Sequence, residues 1–392
     1  MFIAELFSFI ETEKREELFR GLKKFPAFFL LLPSLLLPLL MTTHPALAHP
    51  VSQGAMHIIV HADRIDLCAT VSLEEVLVAT ALSGNRSTAN QEALRKHGDY
   101  LLNHLHIHAE GRPIAGRVLE VPRQSTGRLT YRLDYPLKGA QSQRIEFRQD
   151  VLREFLFAPG NPWEASYIVR IGRNGQEPSE GLLFTFREPL IFDSGGGTGL
   201  DRMRMAGAFV RHGIVHILTG YDHLLFVGAL VLAVTGWRDL IQVIAAFTLA
   251  HTLTLALAVL NIVRLPSSIV EPMIAASIVA VAVENVFWPK RSQGKARLLL
   301  AFGFGLFHGL GFAGGLLDAM SGMAIGSLAL AITAFSVGVE IGHQVVVLPA
   351  FYVLILLRRV DTAAPRLSQW AQCYGSAIIS LCGLAYFYAA LP

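Results

Sequence analysis

Of 392 residues, 53% are hydrophobic and only 16% charged, where a soluble chain would carry about 25% charged residues. A formal net charge of +3 is too small to argue for a nucleic-acid partner. Three cysteines (Cys68, Cys373, Cys382) supply neither a disulfide framework nor a thiolate-rich metal site. With a mean hydropathy of +0.47, the chain is placed in the membrane class.

Residues 1–48 have the layout of a secretory signal. Lys23 and Lys24 precede the apolar run Phe25–Met41, and Ala46-Leu47-Ala48 is a small-x-small cleavage site. Pro26, Pro33 and Pro38 make that run a poor permanent spanning helix. Export of the segment that follows, with cleavage after Ala48, is the expectation.

Residues 49–192 are expected to form a mainly-β exported domain, a small sandwich on the periplasmic side. Strand patterns cover Met56–Ala62, Arg64–Val71, Arg128–Tyr135, Gln143–Arg148, Tyr167–Ile171 and Leu182–Phe186, with one helix near Asn90–His104. His49, His57 and His61 lie near its start, and His104, His106 and His108 would share one face of an extended segment. Such a set suits metal capture, although alternate histidines on a strand need no ligand. Residues 193–200, rich in glycine, read as a linker.

Residues 201–392 contain six apolar stretches near the ~20 residues that cross a bilayer. They lie at about 207–235, 239–262, 267–288, 298–320, 326–357 and 369–391. With the linker outside, Arg238, Lys290, Arg291, Lys295, Arg297, Arg358, Arg359 and Arg366 fall in cytoplasmic loops, as the positive-inside rule requires. The expected location is a bacterial inner membrane.

Histidines and carboxylates recur inside these apolar stretches. Charged groups at bilayer depth cost about 2.5–3.5 kcal/mol on insertion scales and usually face a bundle interior or water-filled path. On one continuous helix, His216, Gly220 and His223 would share a stripe, with Asp222 turned about 100° from His223 and placed to orient a histidine. Ser336, Glu340 and His343 repeat the spacing, and Glu340-x-x-His343 is an i, i+3 carboxylate–histidine pair used in bundle metal sites. His251 with Thr248, Glu284, and His308 within a glycine-dense segment complete the set. Either His251 or His308 alone is equally well explained by a hydrogen bond between helices. Five histidines and three carboxylates recurring on several helices favour one shared polar site. Imidazole and carboxylate without thiolate suit Ni, Zn, Co, Cu or Fe.

His216-x-x-x-Gly220-x-Asp222-His223 resembles the signature of the HupE/UreJ membrane proteins. The segments Phe247–Leu255, Phe304–Phe312 and Gly338–His343 look like the longer branch of that group, which carries an exported domain. The resemblance spans about 201–390, with Ile217 where the family signature usually has proline. It implies a membrane protein of nickel supply, not an enzyme, with His216, Asp222 and His223 binding the ion, and the leading expectation is an integral transporter or permease for a divalent transition metal, nickel first. Residues His251, Glu284, His308, Glu340 and His343 join that set from the placement argument alone. The implied partners are membrane lipid, a transition-metal ion, metalloenzyme-maturation proteins and a second copy of the chain. A membrane-embedded metal-dependent hydrolase, with Glu340 or Glu284 as base, and a metal-binding accessory or sensor protein are the alternatives.

Overall fold

The computed structural model describes residues 51–391, apart from 81–89, 124–127, 138–143, 159–160, 174–177, 185–188, 194–197, 264, 290–293, 312–319, 321–322 and 361–366. The signal and its cleavage site, His49, and linker residues 194–197 lie outside the described residues.

The first part is mainly β. Strands β1 (Val51–Val60), β2 (Arg64–Val71), β5 (Arg117–Glu120), β6 (Leu129–Pro136), β10 (Glu164–Arg173) and β11 (Ser179–Leu183) form a sheet ordered β11-β10-β1-β2-β6-β5. Strands β3 (Leu105–Ala109), β4 (Arg112–Ile114), β7 (Arg144–Gln149) and β12 (Leu190–Asp193) form a second sheet, ordered β12-β7-β3-β4. A short pair, β8 (Leu156–Ala158) and β9 (Asn161–Pro162), stands outside both. Alternate residues of β2 and β3 are buried, the period-two pattern of a half-covered strand. The two sheets share one core that includes Ile58, Leu67, Tyr131, Ile107 and Phe147.

Several features depart from the sequence reading, among them strands β4, β5, β8, β9 and β12, which fall outside its strand patterns. Strand β1 begins five residues early because Ser52 and Gln53, though polar, are buried where β1 runs parallel to β10. Helix α1 (Leu73–Ala79) is an addition, started by Ser72, whose hydroxyl accepts from Glu75 N at 3.1 Å. Glu75 is itself buried and accepts from Ser52 Oγ and Tyr167 Oη, both at 2.8 Å. Burial and the neighbouring Glu75 charge raise the Tyr167 phenol well above its ordinary pKa. The expected helix is present as α2 (Gln91–His104), capped by Asn90.

The second part is helical: α3 (Thr198–Thr219), α4 (Tyr221–Ala233), α5 (Trp237–Val259), α6 (Ser267–Phe287), α7 (Gly294–Gly311), α8 (Ile325–Val360) and α9 (Leu367–Ala389). Among the described residues, α5, α6 and α8 are long and apolar enough to span a membrane. The α3–α4 pair makes a fourth if taken as one span. Helix α7 is described only to Gly311, and α9 has the length but not the apolarity. The expectation of a single first helix over 207–235 is overturned: the chain breaks at Gly220, and the two pieces meet at 73°.

Glycine permits the tightest helix approaches. A side chain on Gly338 of α8 would collide with the Val210 carbonyl of α3, and one on Gly309 of α7 with the His251 carbonyl of α5. At the other end of the bundle, Arg358 donates to Val234 O at 2.7 Å and Arg297 to Ala229 O at 2.9 Å, both where α4 runs out. Arg297 is therefore not the loop residue that the charge pattern suggests. It lies on α7 and is buried.

The β part and the helical part share a further core. Ile168, Leu182 and Phe184 pack with Met205, Phe209, Met320, Met323 and Phe335. Glu180 Oε1 also accepts from Ala324 N at 3.1 Å.

Candidate metal centre

The break at Gly220 creates the centre. Gly220 N still donates to His216 O at 2.9 Å, and Leu224 N to Gly220 O at 3.0 Å, so hydrogen bonding resumes directly beyond the bend. A Cβ on Gly220 would sit 2.8 Å from His216 O and 3.2 Å from both Asp222 Oδ1 and His223 Nδ1. The missing side chain leaves the space that these groups occupy. Asp222 falls in the first turn of α4, where the positive end of the helix dipole favours a carboxylate. Irregular backbone at this depth is tolerated where protein buries it.

His216, Asp222, His223, His251, His308 and His343 are all buried. One ligand atom from each of His216, His223 and His251 lies within 4.8 Å of the others, and the same holds for Asp222, His223 and His308. Metal–imidazole bonds of about 2.0–2.1 Å place ligand atoms at most about 4.2 Å apart, so small inward shifts close either set around an ion. The ring centroids of His216 and His223 are 4.8 Å apart, and those of His223 and His308 5.0 Å. Phe226, Phe247 and Phe335 wall the group, with Phe226 4.7 Å from His308 and Phe335 5.5 Å from His216.

The hydroxyl partners fix which nitrogen is available. Ser277 Oγ donates its one hydrogen to Ile274 O at 2.6 Å, so across the 3.0 Å contact with His308 Nε2 it must accept. The proton of neutral His308 is thereby held on Nε2, leaving the Nδ1 lone pair for a ligand. Thr248 Oγ1 likewise donates to Glu340 Oε2 at 2.6 Å and accepts from His343 Nδ1 at 3.1 Å. His343 Nε2 is then a buried lone pair with no hydrogen-bond partner among the described residues. Asp222 Oδ1, 3.1 Å from His223 Nδ1, is placed to orient the shared histidine in the same way.

The sequence-nominated residues thus divide. His216, Asp222, His223, His251 and His308 come together. Glu340 and His343 join each other through Thr248, beside the group, with His343 5.4 Å from the Phe247 ring. Glu284 is committed elsewhere, accepting from Arg297 Nη1 at 3.0 Å. Sequence reasoning overlooked Ser277 and His212. His212 lies one helical turn before His216 and is buried between Phe184 of the β part, at 4.4 Å, and Phe335, at 5.7 Å. Its i, i+4 spacing from His216 was the signal available.

In the β part, His104 closes α2 while His106 and His108 lie on β3, so the three do not form one strand face. His104 Nδ1 and His106 Nε2 both meet Asp150 Oδ1, at 2.9 and 3.2 Å.

Fold and centre together define an apolar helical bundle that carries a buried imidazole–carboxylate cluster and is joined to a mainly-β part. Residues 198–390 match the family model described as HupE / UreJ protein, and this stretch of the chain belongs to that family. The family consists of membrane proteins generally related to nickel and cobalt. No curated protein and no solved structure matches the chain.

Proposed function

We propose that this protein carries a divalent transition metal, nickel first, across a bacterial inner membrane. Residues 201–392 form six crossings, and residues 49–192 lie in the periplasm after signal cleavage. The observation that supports this most is the pair of buried three-ligand sets built from the broken α3–α4 segment, α5 and α7. Neutral imidazoles replace part of the ion's hydration shell, and Asp222 offsets part of its charge. Moderate sites of this kind bind tightly enough to select an ion and weakly enough to release it.

A hydrolase would need an activated nucleophile or an open ligand position reached by water. Ser336 Oγ, one turn before Glu340, is buried and has no hydrogen-bond partner among the described residues, so it is not activated as a nucleophile. This disfavours a serine hydrolase.

The test is uptake of radioactive nickel by cells expressing the wild type or the His216→Ala/His223→Ala double variant, with zinc, cobalt and copper as competitors and membrane insertion matched. Uptake that requires both histidines is expected. Equal uptake by the two proteins would sink the proposal.

A further inference from the structure

The five converging ligands do not make one cage. Among the described residues they fall into two triads, His216/His223/His251 and Asp222/His223/His308, that share only His223. The arrangement of rings is consistent with this division. His223 is 4.8 Å from His216 and 5.7 Å from His251, and 5.0 Å from His308.

The triads differ in charge. The first offers only imidazoles; the second adds a carboxylate. Five donors supply a single negative charge between them. Two divalent ions held about 4 Å apart by that one charge would repel each other strongly inside an aromatic wall. Simultaneous occupancy is therefore disfavoured, and His223 is the one ligand that either position can use.

Building on the transport proposal, we infer that the centre holds one divalent ion at a time in two overlapping positions, and that His223 passes the ion between His216/His251 and Asp222/His308. The ion keeps His223, releases the two ligands of one triad and takes those of the other. A held hydrogen bond keeps the receiving side ready: Ser277 fixes the His308 tautomer. Ligands whose orientation is set in advance need little rearrangement when the ion arrives.

The test uses the full chain in detergent with nickel as the probe. Binding is measured by equilibrium dialysis, ligand type by X-ray absorption, and uptake by reconstituted vesicles. Near-UV circular dichroism checks the fold, and His251→Gln and His308→Gln serve as near-isosteric companions to the alanine variants. One nickel per wild-type chain is expected. His251→Ala should keep one nickel with a carboxylate oxygen in its shell, and His308→Ala one nickel with imidazole nitrogen dominant. Each should still bind nickel, because the other position keeps its three ligands, yet fail in uptake. His223→Ala should lose nickel altogether.

Two nickel ions per wild-type chain, no nickel in wild type, or complete loss of nickel in both His251 and His308 variants with their fold intact would overturn the two-position scheme. Transport itself fails on a different readout. Wild-type vesicles that bind nickel but never accumulate it would sink the transport proposal and leave the two positions to stand on the binding data.

Discussion

At the scale of single residues, Gly220 matters more for what it leaves out than for flexibility. Its backbone φ of −78° is one that any residue can adopt, so an alanine there meets no backbone penalty. Gly220 is nonetheless the N-cap of α4, where alanine is a poorer residue than glycine, and a Cβ would lie 2.8 Å from His216 O, so Gly220→Ala should lower the melting temperature modestly. The new methyl group would also press on Asp222 Oδ1 and His223 Nδ1, each 3.2 Å from its position. Nickel affinity in the purified protein is expected to fall by about tenfold, a change of about 1.4 kcal/mol. Calorimetric titration beside a melting curve separates the two effects, and an unchanged affinity would show that the bend tolerates a side chain. The histidines and Asp222 were legible in the sequence because polar groups stand out in an apolar run. The break was not, because one glycine among apolar residues looks the same whether it serves packing or a bend. Only the crowding of His216 O, Asp222 and His223 around it distinguishes the two.

At the scale of elements, the helix ends away from the β part are tied by a buried polar network. Arg297 of α7 donates to Glu284 and Asn285 of α6 and to the Ala229 and Leu230 carbonyls of α4. Removing one partner of a buried pair strands the other and costs about 3–5 kcal/mol. Arg297→Leu is expected to lower the unfolding midpoint in detergent sharply. Glu284→Gln, which keeps a hydrogen-bond acceptor, should cost far less and leave nickel affinity at the wild-type value. A large affinity loss in Glu284→Gln would return this residue to the metal centre. Sequence spacing could not have settled its role. Glu284 and Arg297 lie on different helices, beyond the reach of the i, i+4 rule, and Arg297 on its own resembles any basic residue flanking a span. Strands with alternating burial, such as β2 and β7, were legible, while α1 and the polar start of β1 depend on the tertiary setting of Ser52, Gln53 and Glu75.

At the scale of the whole molecule, the β part covers one end of the helix bundle. Leu182 and Phe184 belong to the same buried cluster as Phe209 and Phe335, and the Phe184 ring lies edge-on to His212. His212, in turn, stands one turn from His216, so the β part covers a histidine beside the candidate metal centre. This contact is apolar, and Leu182 and Phe184 lie outside the core that the two sheets share. The double variant Leu182→Ala/Phe184→Ala should therefore keep its secondary structure and its nickel binding while exposing His212. Diethyl pyrocarbonate labelling followed by mass spectrometry reads this directly. His212 is expected to react severalfold faster in the double variant, with His251, buried within the bundle, as the slow internal reference. Equal rates for His212 in both proteins would mean that the helices alone bury it and that the β part can be removed without opening that end of the bundle.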